Sequence, residues 1–327
     1  MEDTKDIRLV GIDLLRGIAA FGIVGCHIQL APRTCAGNLV VALCDFNVGV
    51  FAALAGFLMC GAANVDGWLW YVKKRANRLL PTYFAWTIVY VLVTALFDVV
   101  YDGGCLNPRY MDVWFWLRVI FRGGCATHLW FLVCLFYAQV AFFGLFASLN
   151  DKWWGLAWIV AGGVVIAVSA SLTCWIGCYP LRLVAFLVTG FGIGCCYRGG
   201  MFCWLGKCRW MAWGLALAVL VAHVAMMDHV HKFIRDWIAV GPVLLAFVGI
   251  CVNKRIAIKM MTILGATSMG VYLVHPLVTR TLSVTVEHLM QLPYSALAIL
   301  FVWITAWCVS FAVAIVPLVA RGLVASR

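Results

Sequence analysis

Acidic residues are what this chain has least of. Asp and Glu together number 13 in 327 residues, and charged residues of either sign make up 11%. A soluble domain carries about a quarter charged residues, so a water-facing surface over most of this chain is excluded. Long polar tails and a second soluble domain are missing as well. No CxxC pairs stand at zinc-finger spacing, and no metal site is expected. The first apolar run keeps Asp13 and Arg16 inside it and no small-residue cleavage site follows, which argues against a cleavable signal peptide. The net charge is +11, yet no platform of alternating basic and aromatic residues accompanies it. Nucleic acid is therefore not an expected partner.

What is there is apolar. Hydrophobic residues are 65% of the chain, and mean hydropathy is +1.01. The 16 Trp and 10 Tyr can supply interfacial belts. The expected fold is all-α: a polytopic bundle of about ten transmembrane helices forming a single domain over residues 1–327. The expected spans are 9–30, 38–63, 79–100, 128–149, 154–176, 181–198, 210–229, 235–252, 262–282 and 294–319. His223 and Asp228 interrupt the seventh. Segment 110–121 is short, aromatic and basic, and reads as an interfacial helix.

The basic residues orient this bundle. With the N-terminus inside, fifteen Lys and Arg fall on the inner side and eight on the outer, with Arg16 in the membrane. That asymmetry predicts both termini in the cytoplasm. The outer eight include Arg182, Lys232 and Arg235. Most of the 15 cysteines lie in apolar runs, where a thiol is a small hydrophobe. Cys105 with Cys125, and Cys174 with Cys178, are candidate disulfides in an oxidising compartment; unpaired thiols are the other reading.

Polar residues inside the spans carry the functional signal, since an intramembrane charge needs a partner, a wet cavity or a task. Eleven residues turn a helix by about 1100°, within about 20° of three full turns. Arg16 and His27 therefore share a face, about 16 Å apart along the axis. Asp13 stands three residues before Arg16, where an ion pair can form. On the expected topology His27, His128, His275, Asp45 and Asn47 all converge on the outer half of the membrane. Trp130 follows His128, and Ser268, Tyr272 and His275 share one helical face. Imidazoles around one cavity suit general acid–base work on a hydroxyl. Each has a plain alternative: His128 as a loop residue, His275-Pro276 as a satisfied kink, Asp45 and Asn47 as caps, Ser268 and Tyr272 as packing. On the inner side, Lys73-Lys74-Arg75-Ala76-Asn77-Arg78 is either a topology signal touching anionic lipids or a phosphate clamp. Arg75 and Arg78 are one turn apart, and guanidinium forks suit phosphate oxygens.

Five stretches in order resemble the integral-membrane acyltransferase family 3, bacterial O-acyltransferases that modify surface glycans. Asp13-Leu14-Leu15-Arg16-Gly17-Ile18-Ala19-Ala20, ending in His27, resembles the family's arginine-x10-histidine motif. Gly49 to Leu58 resembles its second-span signature, with Ala52 and Ala55 replacing an aromatic and a serine. Arg75 to Tyr83 resembles its arginine-x-x-arginine segment, and His128-Leu129-Trp130-Phe131-Leu132 its histidine–tryptophan start of a later span. Leu264 to Pro276 resembles its serine…tyrosine…histidine motif.

The resemblance implies acyl-CoA, usually acetyl-CoA, as donor substrate from the cytoplasm. It implies a hydroxyl-bearing acceptor such as a cell-envelope glycan, and a place in the bacterial cytoplasmic membrane. Arg75 and Arg78 would hold the coenzyme A phosphates. Arg16, oriented by Asp13, would line the donor's path or stabilise the thioester carbonyl. His27 would be general base or acyl carrier. Asp45, Asn47, His128, Trp130, Ser268, Tyr272 and His275 would shape the acceptor pocket. Two other classes stay open: a binding or transport module for a small polar ligand such as an amino acid, and a structural scaffold.

Overall fold

The structure is a computed structural model that describes residues 9–28, 39–40, 43–63, 67–101, 108–122, 128–172, 179–203, 208–226, 229–250, 255–288 and 296–320. Among these residues there is helix and no strand. The helices are α1 (Val10–Cys26), α2 (Asn47–Ala63), α3 (Trp68–Tyr101), α4 (Val113–Arg122), α5 (Trp130–Phe146), α6 (Lys152–Leu172), α7 (Tyr179–Arg198), α8 (Arg209–Ala225), α9 (Lys232–Val248), α10 (Arg255–His288) and α11 (Ala296–Ala320). A 3-10 turn, Pro108–Met111, precedes α4. The candidate disulfide cysteines Cys105, Cys125, Cys174 and Cys178 lie outside the described residues, as does Asp228.

Each of the ten expected spans overlaps one of these helices, and the short α4 overlaps the expected interfacial segment. Among the described residues, six apolar helical stretches are long enough to cross a membrane: Leu43–Ala62, Trp68–Val99, Lys152–Leu172, Pro180–Arg198, Ile256–Leu282 and Ile299–Pro317. Helices α1, α5, α8 and α9 have 17 residues each, short of the ~20 that span a hydrocarbon core. The lipid-exposed character is clear on α6, where Trp153, Val160, Val164 and Val168 stand outward at near-helical spacing.

The residues divide into two compact units, 1–57 with 151–327, and 58–150. In the first unit α1 is central. Asp13, Leu15, Ala19, Ala20, Ile23 and Val24 are among its buried residues, and α9, α10 and α11 pack around it. Trp303 of α11 stacks on Phe21 at 4.6 Å and donates its indole N–H to the Phe21 carbonyl at 2.9 Å. Small residues let neighbouring backbones touch, as expected where no hydrophobic force drives helices together in lipid. A Cβ on Gly56 of α2 would sit 1.9 Å from the Leu187 carbonyl of α7, and one on Gly190 would meet the Ala53 carbonyl at the same distance.

The second unit packs α5 against α3 and α4. Here the structure differs from the expected span. Helix α3 begins at Trp68 rather than near residue 79, so Lys73 to Arg78 lie within it. The reason is local. Lys74 lies 3.9 Å from the Trp70 ring centre and Arg75 lies 5.0 Å from that of Tyr71, so aromatic faces one turn earlier accept the charges. Tyr71 in turn stacks flat on Phe143 of α5 at 3.8 Å.

Candidate functional site

The lower end of the α1 stripe is an ion pair. Arg16 Nη1 lies 3.9 Å from Asp13 Oδ1, the contact that an (i, i+3) spacing permits. Asp13 is buried, and Arg16 is partly so. Gly265 of α10 lies against this pair: a Cβ there would come within 2.7 Å of Asp13 Oδ1. Three residues on, Ser268 is buried and donates its hydroxyl to the Gly265 carbonyl at 2.7 Å. The start of the α10 motif is thus packed onto Asp13.

The upper end is a pair of imidazoles. His27 caps α1, and its ring centre is 4.9 Å from that of His275 in α10. Pro276 explains the setting of His275. A proline has no amide hydrogen, so the carbonyl four residues earlier loses its helical donor. That carbonyl belongs to Tyr272, and His275 Nδ1 donates to it at 2.7 Å. Because a carbonyl can only accept, Nδ1 carries the proton and the basic lone pair of the neutral ring is at Nε2. Tyr272 is buried, with its ring 5.9 Å from His275 and 6.4 Å from Phe51 of α2.

The start of α2 closes on α1. Asn47 is buried and donates to the Cys44 carbonyl at 2.8 Å. Gly22 makes room for it, since a Cβ there would lie 2.2 Å from Asn47 Nδ2. Asp45 pairs with Lys232 of α9 at 2.5 Å.

The other expected site residues belong to the second unit. His128 is buried just before α5, with Tyr90 of α3 edge-on at 4.8 Å. Trp130 is half-buried and meets Phe131 edge-on at 6.2 Å. Arg78 is exposed. Arg75 is half-buried, and its Nε makes no hydrogen bond among the described residues.

One cluster was not anticipated. Arg182 of α7 donates to Asp236 Oδ2 of α9 in a buried ion pair. His223 Nε2 of α8 is 3.8 Å and Arg235 Nη2 is 3.9 Å from Asp236 Oδ1. Phe46 lies edge-on to His223 at 5.5 Å, and Arg182 sits 4.8 Å from the Phe233 ring centre. Arg182 and Arg235, counted among the outer basic residues, stand at the ends of the expected spans 181–198 and 235–252; in the structure they and Lys232 lie inside helices, and both arginines are buried. Both arginines fall in the first two positions of their expected spans, where a basic residue reads as an interfacial charge, unlike Arg16 deep in its run.

Chemically, the first unit offers two facing imidazoles suited to moving a proton, one with its tautomer set, on a helix that also carries a paired cation. No curated protein and no solved structure matches the chain. A family model described as an acyltransferase domain matches residues 9–317, covering both units. The arginine–histidine helix, the imidazole pair and this match over nearly the whole chain agree, and the protein belongs to the membrane acyltransferase family 3.

Proposed function

We propose that the protein is a membrane O-acyltransferase, moving an acyl group, most simply acetyl, from cytoplasmic acyl-CoA to a hydroxyl of a cell-envelope glycan or similar acceptor. The chain crosses the bacterial cytoplasmic membrane ten times, with both termini inside. The observation that carries this reading is the His27–His275 ring pair, 4.9 Å between centres, at the end of the helix that holds Asp13 and Arg16.

His27 takes the proton of the acceptor hydroxyl as its oxygen attacks the thioester carbonyl. The C–S bond breaks, and the thiolate leaves and is protonated as the free thiol of coenzyme A. His275, its Nδ1 proton engaged by a backbone carbonyl, offers Nε2 to the same proton network. The roughly 16 Å rise between Arg16 and His27 favours Arg16 as a lining of the donor's path rather than a group on the carbonyl under attack. Arg75 and Arg78 hold the coenzyme A phosphates. The buried Nε of Arg75 supports this role, because such a donor is costly to leave unmet. Asn47, Tyr272 and His275 shape the acceptor pocket of the first unit. Ser268, spent on its own helix, supports the fold around Asp13.

The test is His27→Ala in purified protein reconstituted in nanodiscs, read by thiol release from acetyl-CoA. Loss of general-base catalysis lowers turnover by ~10²–10⁴-fold. Wild-type turnover in a well-folded His27→Ala sample overturns the assignment.

A further inference from the structure

The charge cluster of the first unit holds more cation than its own carboxylates answer. Arg182, Lys232 and Arg235 face Asp45 and Asp236, with His223 beside them. Asp236 has no exposed surface, and its closest partner is Arg182. Arg235 is only 5% exposed, its nearest carboxylate oxygen is 3.9 Å away, and its Nε makes no hydrogen bond among the described residues. A buried guanidinium in that state is costly unless a further acceptor reaches it. Lys232, one turn earlier on α9, has 44% of its side chain exposed. The charges thus run from a half-open lysine to a closed arginine along one helix, an arrangement that draws anions inward.

The place is also right for the acceptor. Asp45, which pairs with Lys232, and Phe46, edge-on to His223 at 5.5 Å, tie this cluster to the start of α2. Asn47, two residues further on, packs against Gly22 of α1. Helix packing alone accounts for the Arg182–Asp236 pair, but it gives no use for a second buried guanidinium.

We infer that Arg235 and Lys232 form an anion subsite for the acceptor, which carries a carboxylate or a phosphate beside the hydroxyl that is acylated. The incoming oxyanion takes the Nε and Nη donors of Arg235 and displaces Asp45 from Lys232. This inference rests on the acyl-transfer reading, and names the acceptor's chemical class.

The experiment compares D-glucuronate with D-glucose, and sn-glycerol 3-phosphate with glycerol. Binding to nanodisc-reconstituted full-length protein is measured by calorimetry, alongside thiol release from acetyl-CoA. At least one anion is expected to bind roughly tenfold or more tightly than its neutral counterpart, the scale of a charge-assisted hydrogen bond. The two anions separate carboxylate from phosphate. Arg235→Gln closes the gap, and Arg235→Lys retains part of it. Should Arg235→Gln fail to fold, Lys232→Ala, at a half-exposed position, is expected to narrow the gap as well. Equal binding of anion and neutral counterpart by wild type, or an undiminished gap in a folded Arg235→Gln protein, overturns the subsite. Anion binding without any thiol release instead overturns the acyl-transfer reading and leaves the subsite standing, so the two failures are distinct.

Discussion

In the first unit, the cations of α7 and the start of α9 are answered from other elements. Arg182 of α7 reaches Asp236 of α9, and Lys232 of α9 reaches Asp45 before α2. On α3 of the second unit, cations are carried on the aromatic faces of their own helix, Lys74 on Trp70 and Arg75 on Tyr71, with Arg78 exposed. The first arrangement fixes helices relative to one another, and losing a member leaves a buried charge behind. The second holds the Arg75 guanidinium against a ring while its Nε makes no hydrogen bond among the described residues, as suits a site for a polyanion.

The largest effect that sharpens this contrast is on stability. Asp236→Ala leaves Arg182 buried without its partner and is expected to destabilise the protein by about 3–5 kcal/mol. Arg75→Gln leaves the thermal midpoint nearly unmoved. Thermal unfolding in detergent checks both, and equal losses would erase the distinction between the two units.

The next effect is on the donor. Replacing both Arg75 and Arg78 with Gln is expected to raise KM for acetyl-CoA by roughly tenfold or more, with kcat changing far less once donor saturates. Unchanged donor affinity by calorimetry returns these residues to a topology or lipid-contact role. The smallest effect concerns the ring beneath Arg75. Tyr71→Leu removes a cation–π contact of about 0.5–1 kcal/mol, so donor affinity falls by only about two- to fivefold. A loss as large as that of the double arginine variant would mean that the ring, not the guanidinium, holds the donor.

Much of the first unit was legible in the sequence because its signals are local. The three-residue step from Asp13 to Arg16 specifies their ion pair, and apolar runs locate every long helix. The start of α3 was hidden because four basic residues within six positions lower the hydropathy, while the Trp and Tyr that accept two of them lie outside the assumed span. The Arg182–Asp236 pair joins residues 54 positions apart. No periodicity reports such a pairing, and Arg182 and Arg235 stand in the first two positions of their expected spans, where a basic residue reads as an interfacial charge. His27 and His275 are 248 positions apart, yet there the expected alternation of crossings already brought both to one side.

The dipeptide His275-Pro276 has a consequence beyond a bend. Two neighbouring letters of the chain decide which nitrogen of an imidazole stays basic, because the second withholds a donor and the first supplies it. Any other residue at 276 would bring an amide hydrogen to compete for the Tyr272 oxygen, loosening the tautomer without altering a single atom of the histidine. Acid–base character at one position is in this way inherited from the next.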